Sequence, residues 1–109
     1  MIKNALVAIG EEMFIALKRT RMSPIIYEAL DYGIGLTDAT GQLISQRNGI
    51  PGFIGTLDGA VRSVMEKFPL TDILPGDMFI TNDPYGGGGT HLSDVSMIMP
   101  VFHKERLIA

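Results

Sequence analysis

The sequence predicts an α+β fold in which amphipathic helices pack on antiparallel hairpins. Two stretches, 2–20 and 57–68, carry apolar residues at helical spacing, while positions 33–44 and 78–109 hold short alternating or β-branched runs cut by Gly, Pro and Asp. The elements do not follow the regular strand-helix alternation that a parallel α/β sheet requires.

From Ile2 to about Thr20, Leu6, Ile9, Met13, Ala16 and Leu17 form one stripe, with Glu11, Glu12, Lys18 and Arg19 away from it. Lys18 and Arg19 fall in the last turn, where cations favour the helix dipole. Ser23 as N-cap and Pro24 at the first helical position start a second, short helix that should end near Leu30 or Asp31. A hairpin follows: Ile34 and Leu36 on one strand, Asp38–Gly41 as the turn, Leu43 and Ile44 on the return, with Gly41 as the left-handed residue. "RNGIPGFIG" reads as a loop. Leu57, Ala60, Val61, Val64 and Phe68 then mark a helix that Pro69 ends, and Gly59 within it points to close packing or a frayed first turn. "LPGD" is a turn and "MFITN" a strand. After the glycine loop "VSMIMPVF" is a strand, "HKE" turns the chain, and "RLIA" begins a pairing strand.

A chain of 109 residues can bury one modest core, and its composition, 46% hydrophobic and 19% charged, is that of a folded protein. A net charge of −3 without a Lys/Arg cluster argues against nucleic-acid binding. There is no cysteine, so disulfides, a thiol nucleophile and thiolate metal sites are excluded; any metal must be held by oxygen and imidazole. The N-terminal stretch has neither a signal-peptide apolar region nor a membrane-spanning run, which predicts a soluble, cytoplasmic chain. "RLIA" ends on apolar residues where termini are usually polar, so residues 1–109 are expected to be the first part of a larger domain, cut at its C-terminal side. Its unfinished edge predicts self-association by strand pairing.

The chemistry concentrates in "NDPYGGGGTHLSD", Asn82 to Asp94. Asp83-Pro84-Tyr85-Gly86 fits a type I turn, so Asp83 is either a turn residue or part of a site. Four successive glycines are costly to order and suit tight packing or the close approach of a ligand. The loop lacks the Lys-Ser/Thr pair and following helix of a P-loop, although backbone amides alone can form an anion nest. His91 and Asp94 are three apart, so they reach one ion only if the chain turns between them. They are then either a hydrogen-bonded pair or two ligands of Mn, Fe or Zn, with the remaining ligands supplied from elsewhere. His103 falls in a turn. Asp38, Asp58 and Asp77 sit at turns or a helix start and read as structural.

The stretches "ALKRTRMSPIIYEALDYGIGLTDATGQLISQ", "RNGIPGFIGTLDGAVRSVMEKFP" and "LPGDMFITNDPYGGGGTHLSDVSMIMPVF" strongly resemble the N-terminal region of the hydantoinase B/oxoprolinase family. That family includes the B subunit of N-methylhydantoinase, the C-terminal half of 5-oxoprolinase and the large subunit of acetone carboxylase, all several times longer. The resemblance implies that His91 and Asp94 are ligands of a divalent metal (Mn, Fe or Zn), with a further histidine beyond Ala109. It implies that Asn82 and Asp83 line the site as candidate catalytic residues. It further implies ATP-dependent opening of a cyclic amide, with ATP bound by a hydantoinase A-type partner subunit in a hetero-oligomer and the metal-assisted step carried here. The substrate would be a hydantoin or lactam, or, in the carboxylase branch, a ketone in a ligase reaction. A third reading is a catalytically incomplete structural fragment that needs the rest of the chain.

Overall fold

A computed structural model of the protein describes residues 1–49, 56–87 and 89–109. The α+β expectation holds: the described residues form three α-helices and three small antiparallel ladders. Helix α1 spans Ile2–Thr20 and helix α2 spans Pro24–Tyr27. Strands β1 (Gly33–Thr37) and β2 (Leu43–Asn48) form the first hairpin, and helix α3 covers Leu57–Lys67. A 3₁₀ turn at Leu70–Asp72, not foreseen from the sequence, leads to β3 (Phe79–Thr81), which pairs with β4 (Ser96–Ile98). Strands β5 (Phe102–His103) and β6 (Arg106–Leu107) close the chain as a third ladder. No helix among the described residues is long and apolar enough to cross a membrane.

Helix α1 has its expected limits but presents a different face. Gly10 and Phe14 are its buried residues, whereas Ile9 and Met13, placed in the stripe by spacing, are exposed. The helix is apolar on nearly every side, with Val7, Ile9, Met13 and Ile15 all outside the core, so periodicity alone could not choose. Contact chooses instead: Ser45 Oγ of β2 lies 2.7 Å from where a Cβ on Gly10 would be, and only glycine lets helix and strand approach this closely. Phe14 stacks on Tyr32 with ring centroids 4.4 Å apart, and the Tyr32 hydroxyl donates to the Phe14 carbonyl at 3.1 Å. The Arg47 guanidinium of β2 lies over the Phe14 ring, 5.1 Å from its centroid, and pairs with Glu11 at 3.5 Å. Glu11 therefore borders the packed face instead of lying away from it.

Helix α2 ends at Tyr27, earlier than expected, because Leu30 takes φ 53 and turns the chain into β1. The hairpin turn is as read. Asp38 Oδ1 accepts the Thr40 amide, the Thr40 hydroxyl and the Gln42 amide at 2.8, 2.6 and 3.0 Å, and Gly41 has φ 87. These bonds, the Thr40 hydroxyl first, hold the Asp38 carboxyl below the usual aspartate range. Arg47 and Asn48 belong to β2 and not to the following loop; the rest of that loop, from position 50 to 55, lies outside the described residues.

Helix α3 positions the functional region. Its buried face is Ala60, Ser63 and Val64, and it contacts both β1 and β4. At its N-terminal end Leu57 lies on Gly35 of β1; just past its C-terminal end Phe68 meets Phe79 of β3 at 4.9 Å between centroids. The helix stops at Lys67, two residues before Pro69, as expected.

The run "VSMIMPVF" is not one strand. It breaks at Met99-Pro100 into β4 and β5, which belong to different ladders, since Pro100 has no N–H to continue the pairing. His103 ends β5 and pairs with Arg106; the turn itself is Lys104-Glu105, both at positive φ as a tight two-residue hairpin turn requires. On the β3–β4 ribbon, Phe79, Thr81, Ser96 and Ile98 are half-buried. The paired Ile80 and Met97 on the opposite face are 67% and 64% exposed, with Met78, Val95 and Met99 exposed around them.

Candidate functional site

The segment between β3 and β4 is built by short polar side chains bonding to nearby backbone. Asp83 accepts the Tyr85 amide on Oδ1 at 3.0 Å, and its own amide donates to the Thr81 hydroxyl at 3.3 Å. The turn role of Asp83 is thus visible. Asn82 Nδ2 reaches ten residues ahead to the Leu92 carbonyl at 3.0 Å.

Gly59 resolves in favour of close packing. Gly87, at φ 89, lies against the first turn of α3 so tightly that a Cβ on it would be 3.0 Å from the Gly59 carbonyl carbon and oxygen. Neither glycine could carry a side chain without movement of backbone. This contact anchors one end of the glycine loop to α3. One residue earlier, Asp58 pairs with Arg62 through Oδ2, while its buried Oδ1 has no hydrogen-bond partner among the described residues.

His91 and Asp94 do lie on a turn. The Asp94 amide donates to the His91 carbonyl at 3.0 Å, and both side chains come to the same side: His91 Nδ1 is 3.7 Å from Asp94 Oδ1. That separation is too long for a hydrogen bond. It is shorter than two metal–ligand bonds of about 2.0–2.2 Å end to end, so one ion can touch both atoms. The two side chains differ in setting, His91 being 65% exposed and Asp94 13%.

Asp94 Oδ2 faces Thr90. It accepts the Thr90 hydroxyl at 2.6 Å, the Thr90 amide at 2.9 Å and, at a long 3.4 Å, the His91 amide. The Thr90 hydroxyl bond is the main reason the Asp94 carboxyl sits below its ordinary pKa, with the Thr90 amide, the nearby imidazole and the His91 amide acting in the same direction and desolvation opposing them. The sequence reading missed Thr90. A hydroxyl residue four positions before an aspartate across a tight turn was the available signal.

The donor set fits a divalent metal of the Mn, Fe or Zn type in kind, one imidazole and one ionised carboxylate, and supplies two of the ligands such an ion needs. Among the described residues no group of three or more His, Asp or Glu side chains converges. His103 takes no part, sitting on the β5–β6 hairpin. A groove of about 390 Å³ between α3 and β3, lined by Ser63, Val64, Lys67, Phe68, Met78, Phe79, Ile80 and Thr81, runs up to the glycine loop: Ser63 Oγ is 3.4 Å from the Cβ position of Gly86.

The sequence profile of a family described as hydantoinase B/oxoprolinase matches residues 1–109. An uncharacterized protein of Methanocaldococcus jannaschii is 34% identical over 99% of this chain, which covers 19% of that protein. 5-Oxoprolinase 1 of Arabidopsis thaliana is 32% identical over 99% of the chain and 8% of its own length. The caprolactamase subunit beta of Pseudomonas jessenii is 33% identical over 99% of the chain and 18% of its own length. The chain therefore spans a fifth or less of each of these relatives.

Proposed function

Because the chain belongs to the hydantoinase B/oxoprolinase family, we propose that it contributes His91 and Asp94 to a divalent metal site that assists the opening of a cyclic amide. The observation that carries this reading is the 3.7 Å approach of His91 Nδ1 and Asp94 Oδ1 on a closed turn, with the second carboxylate oxygen already occupied by Thr90. A bound Mn, Fe or Zn ion would supply Lewis-acid activation of the ring carbonyl or of the attacking water.

The chain's own residues would do the rest. His91 offers an imidazole nitrogen from an exposed position, and Asp94, its carboxyl held below the usual range, offers one oxygen from a sheltered one. Asn82 and Asp83 stand at the rim, where they shape the two turns on either side of the glycines. Gly86 and Gly89 let the backbone pass close to the Asp83 and Asp94 side chains, at 2.7 Å from each for an added Cβ, so the loop folds tightly around these carboxylates. The substrate is a hydantoin or a 5-oxoproline-like lactam. Activation by ATP belongs to an A-type partner subunit in a hetero-oligomer, a reading supported by a relative named as a subunit. A cysteine-free chain working beside ATP fits the cytoplasm.

The test is metal content by elemental analysis after purification without chelators, for the wild type and a His91→Ala, Asp94→Ala variant. It is paired with lactam-dependent ADP formation on mixing with an A-type subunit. Mn, Fe or Zn present in the wild type and lost in the variant is expected. A folded, metal-free wild type refutes the metal reading, and lactam-independent ADP formation refutes the reaction.

A further inference from the structure

Two polar residues act on the His91–Asp94 turn from outside it. Thr90 gives Asp94 Oδ2 both its hydroxyl and its amide, at 2.6 and 2.9 Å, which fills the roughly two acceptor positions a carboxylate oxygen offers. The hydrogen bonds that Asp94 accepts from the described residues all go to Oδ2, and Oδ1 is the atom that faces His91 Nδ1. Asn82 ties the middle of the same turn, the Leu92 carbonyl, to the end of β3. The backbone closure between His91 and Asp94 is thus braced at one point by each residue.

We infer that Thr90 and Asn82 are positioning residues that make Asp94 a one-oxygen donor, Thr90 by occupying Oδ2 and Asn82 by fixing the turn that sets Oδ1 against His91. This rests on the reading that His91 and Asp94 hold a divalent ion. It adds a consequence for which ion. Calcium takes six to eight oxygens at longer distance and readily uses both oxygens of a carboxylate, whereas Mn, Fe and Zn accept a single oxygen beside an imidazole. Locking Oδ2 onto Thr90 therefore selects against calcium. A hydroxyl in the second coordination layer does this at no expense of a ligand position, the role outer-layer partners of metal ligands serve in general.

The experiment is a titration of the chain with Mn(II), read by paramagnetic broadening of the histidine ring resonances and repeated in the presence of Ca(II). His91 and His103 are the two histidines, so His103, on the β5–β6 hairpin, is the internal reference. In the wild type, His91 broadens at lower Mn(II) than His103, and Ca(II) competes weakly. Thr90→Val, which removes the hydroxyl and keeps the shape, requires on the order of 10–100-fold more Mn(II) and loses part of the preference over Ca(II). Thr90→Ser restores both, and Asn82→Ala weakens Mn(II) binding without freeing Oδ2, so its Mn(II)/Ca(II) preference stays. A Thr90→Val protein with wild-type affinity and preference overturns the inference, as does a Thr90→Ser protein as weak as Thr90→Val. If Thr90→Val does not fold, the Ser and Asn82 comparisons decide alone. A wild type in which His91 broadens no earlier than His103 removes the metal reading itself and takes this inference with it.

Discussion

Replacing Gly87 by alanine should destabilise the protein well beyond what backbone conformation alone explains, and Gly76 provides the control. Both glycines have nearly the same φ, 89 and 90. Around Gly76 nothing lies within 4 Å of an added Cβ, whereas at Gly87 the Cβ would meet the Gly59 carbonyl carbon and oxygen at 3.0 Å and its Cα at 3.2 Å. Holding alanine in this conformation costs about 1–3 kcal/mol at either site. Only Gly87→Ala must also displace backbone, which has no rotamer to move aside, for about 1–3 kcal/mol more. The assay is urea unfolding of both variants and the wild type, followed by circular dichroism. With an urea slope of about 1–3 kcal/mol per M, the extra term separates the two midpoints by on the order of 1 M, Gly87→Ala being lower. Equal midpoints would refute the reasoning, because they would mean that the glycine loop does not rest on α3.

Asp38 gives a pH dependence of definite sign. Its folded-state pKa is lowered by the Thr40 hydroxyl and turn amides, so its contribution is present above the unfolded value of about 4 and is lost as pH falls through the lower folded value. The difference between wild type and Asp38→Asn in urea midpoint should therefore shrink below about pH 4; a constant difference counts against the turn geometry. Tyr32→Phe removes the hydroxyl that bonds the Phe14 carbonyl and should lower stability by about 1 kcal/mol with the ring stack intact, measurable in the same unfolding assay. An Ile80→Lys, Met97→Lys variant should keep the wild-type urea midpoint to within about 0.5 kcal/mol of stability, since these paired side chains sit on an exposed ribbon face; a large drop would mean that this face is packed.

Much of this architecture could be read directly from residues, and the failures have specific causes. Pro69 and Gly41 act through local backbone rules, so the end of α3 and the turn of the first hairpin lie where expected, while β2 runs on through Asn48. The face of α1 did not, because an almost uniformly apolar helix carries little phase information; what sets its rotation is the Gly10–Ser45 contact, 35 residues apart in sequence. The stretch from 95 to 102 has the length and β-branched content of one strand, but Pro100 has no N–H to pair and divides it into β4 and β5. At the site, spacing showed that His91 and Asp94 needed a turn to meet, and the turn is there. Spacing could not show which carboxylate oxygen is free, because that depends on where the Thr90 hydroxyl points.

The way α3 touches both β1 and β4 while β5 and β6 chiefly contact each other divides the molecule by local stability. Amide hydrogens in β1, α3 and β4 should exchange with solvent together, as one opening unit, and those of the terminal hairpin earlier and independently. The His91–Asp94 turn is joined to the first unit through Asn82 on one side and the Gly59–Gly87 contact on the other. Its protection from exchange should follow α3, although it lies in a glycine-rich loop.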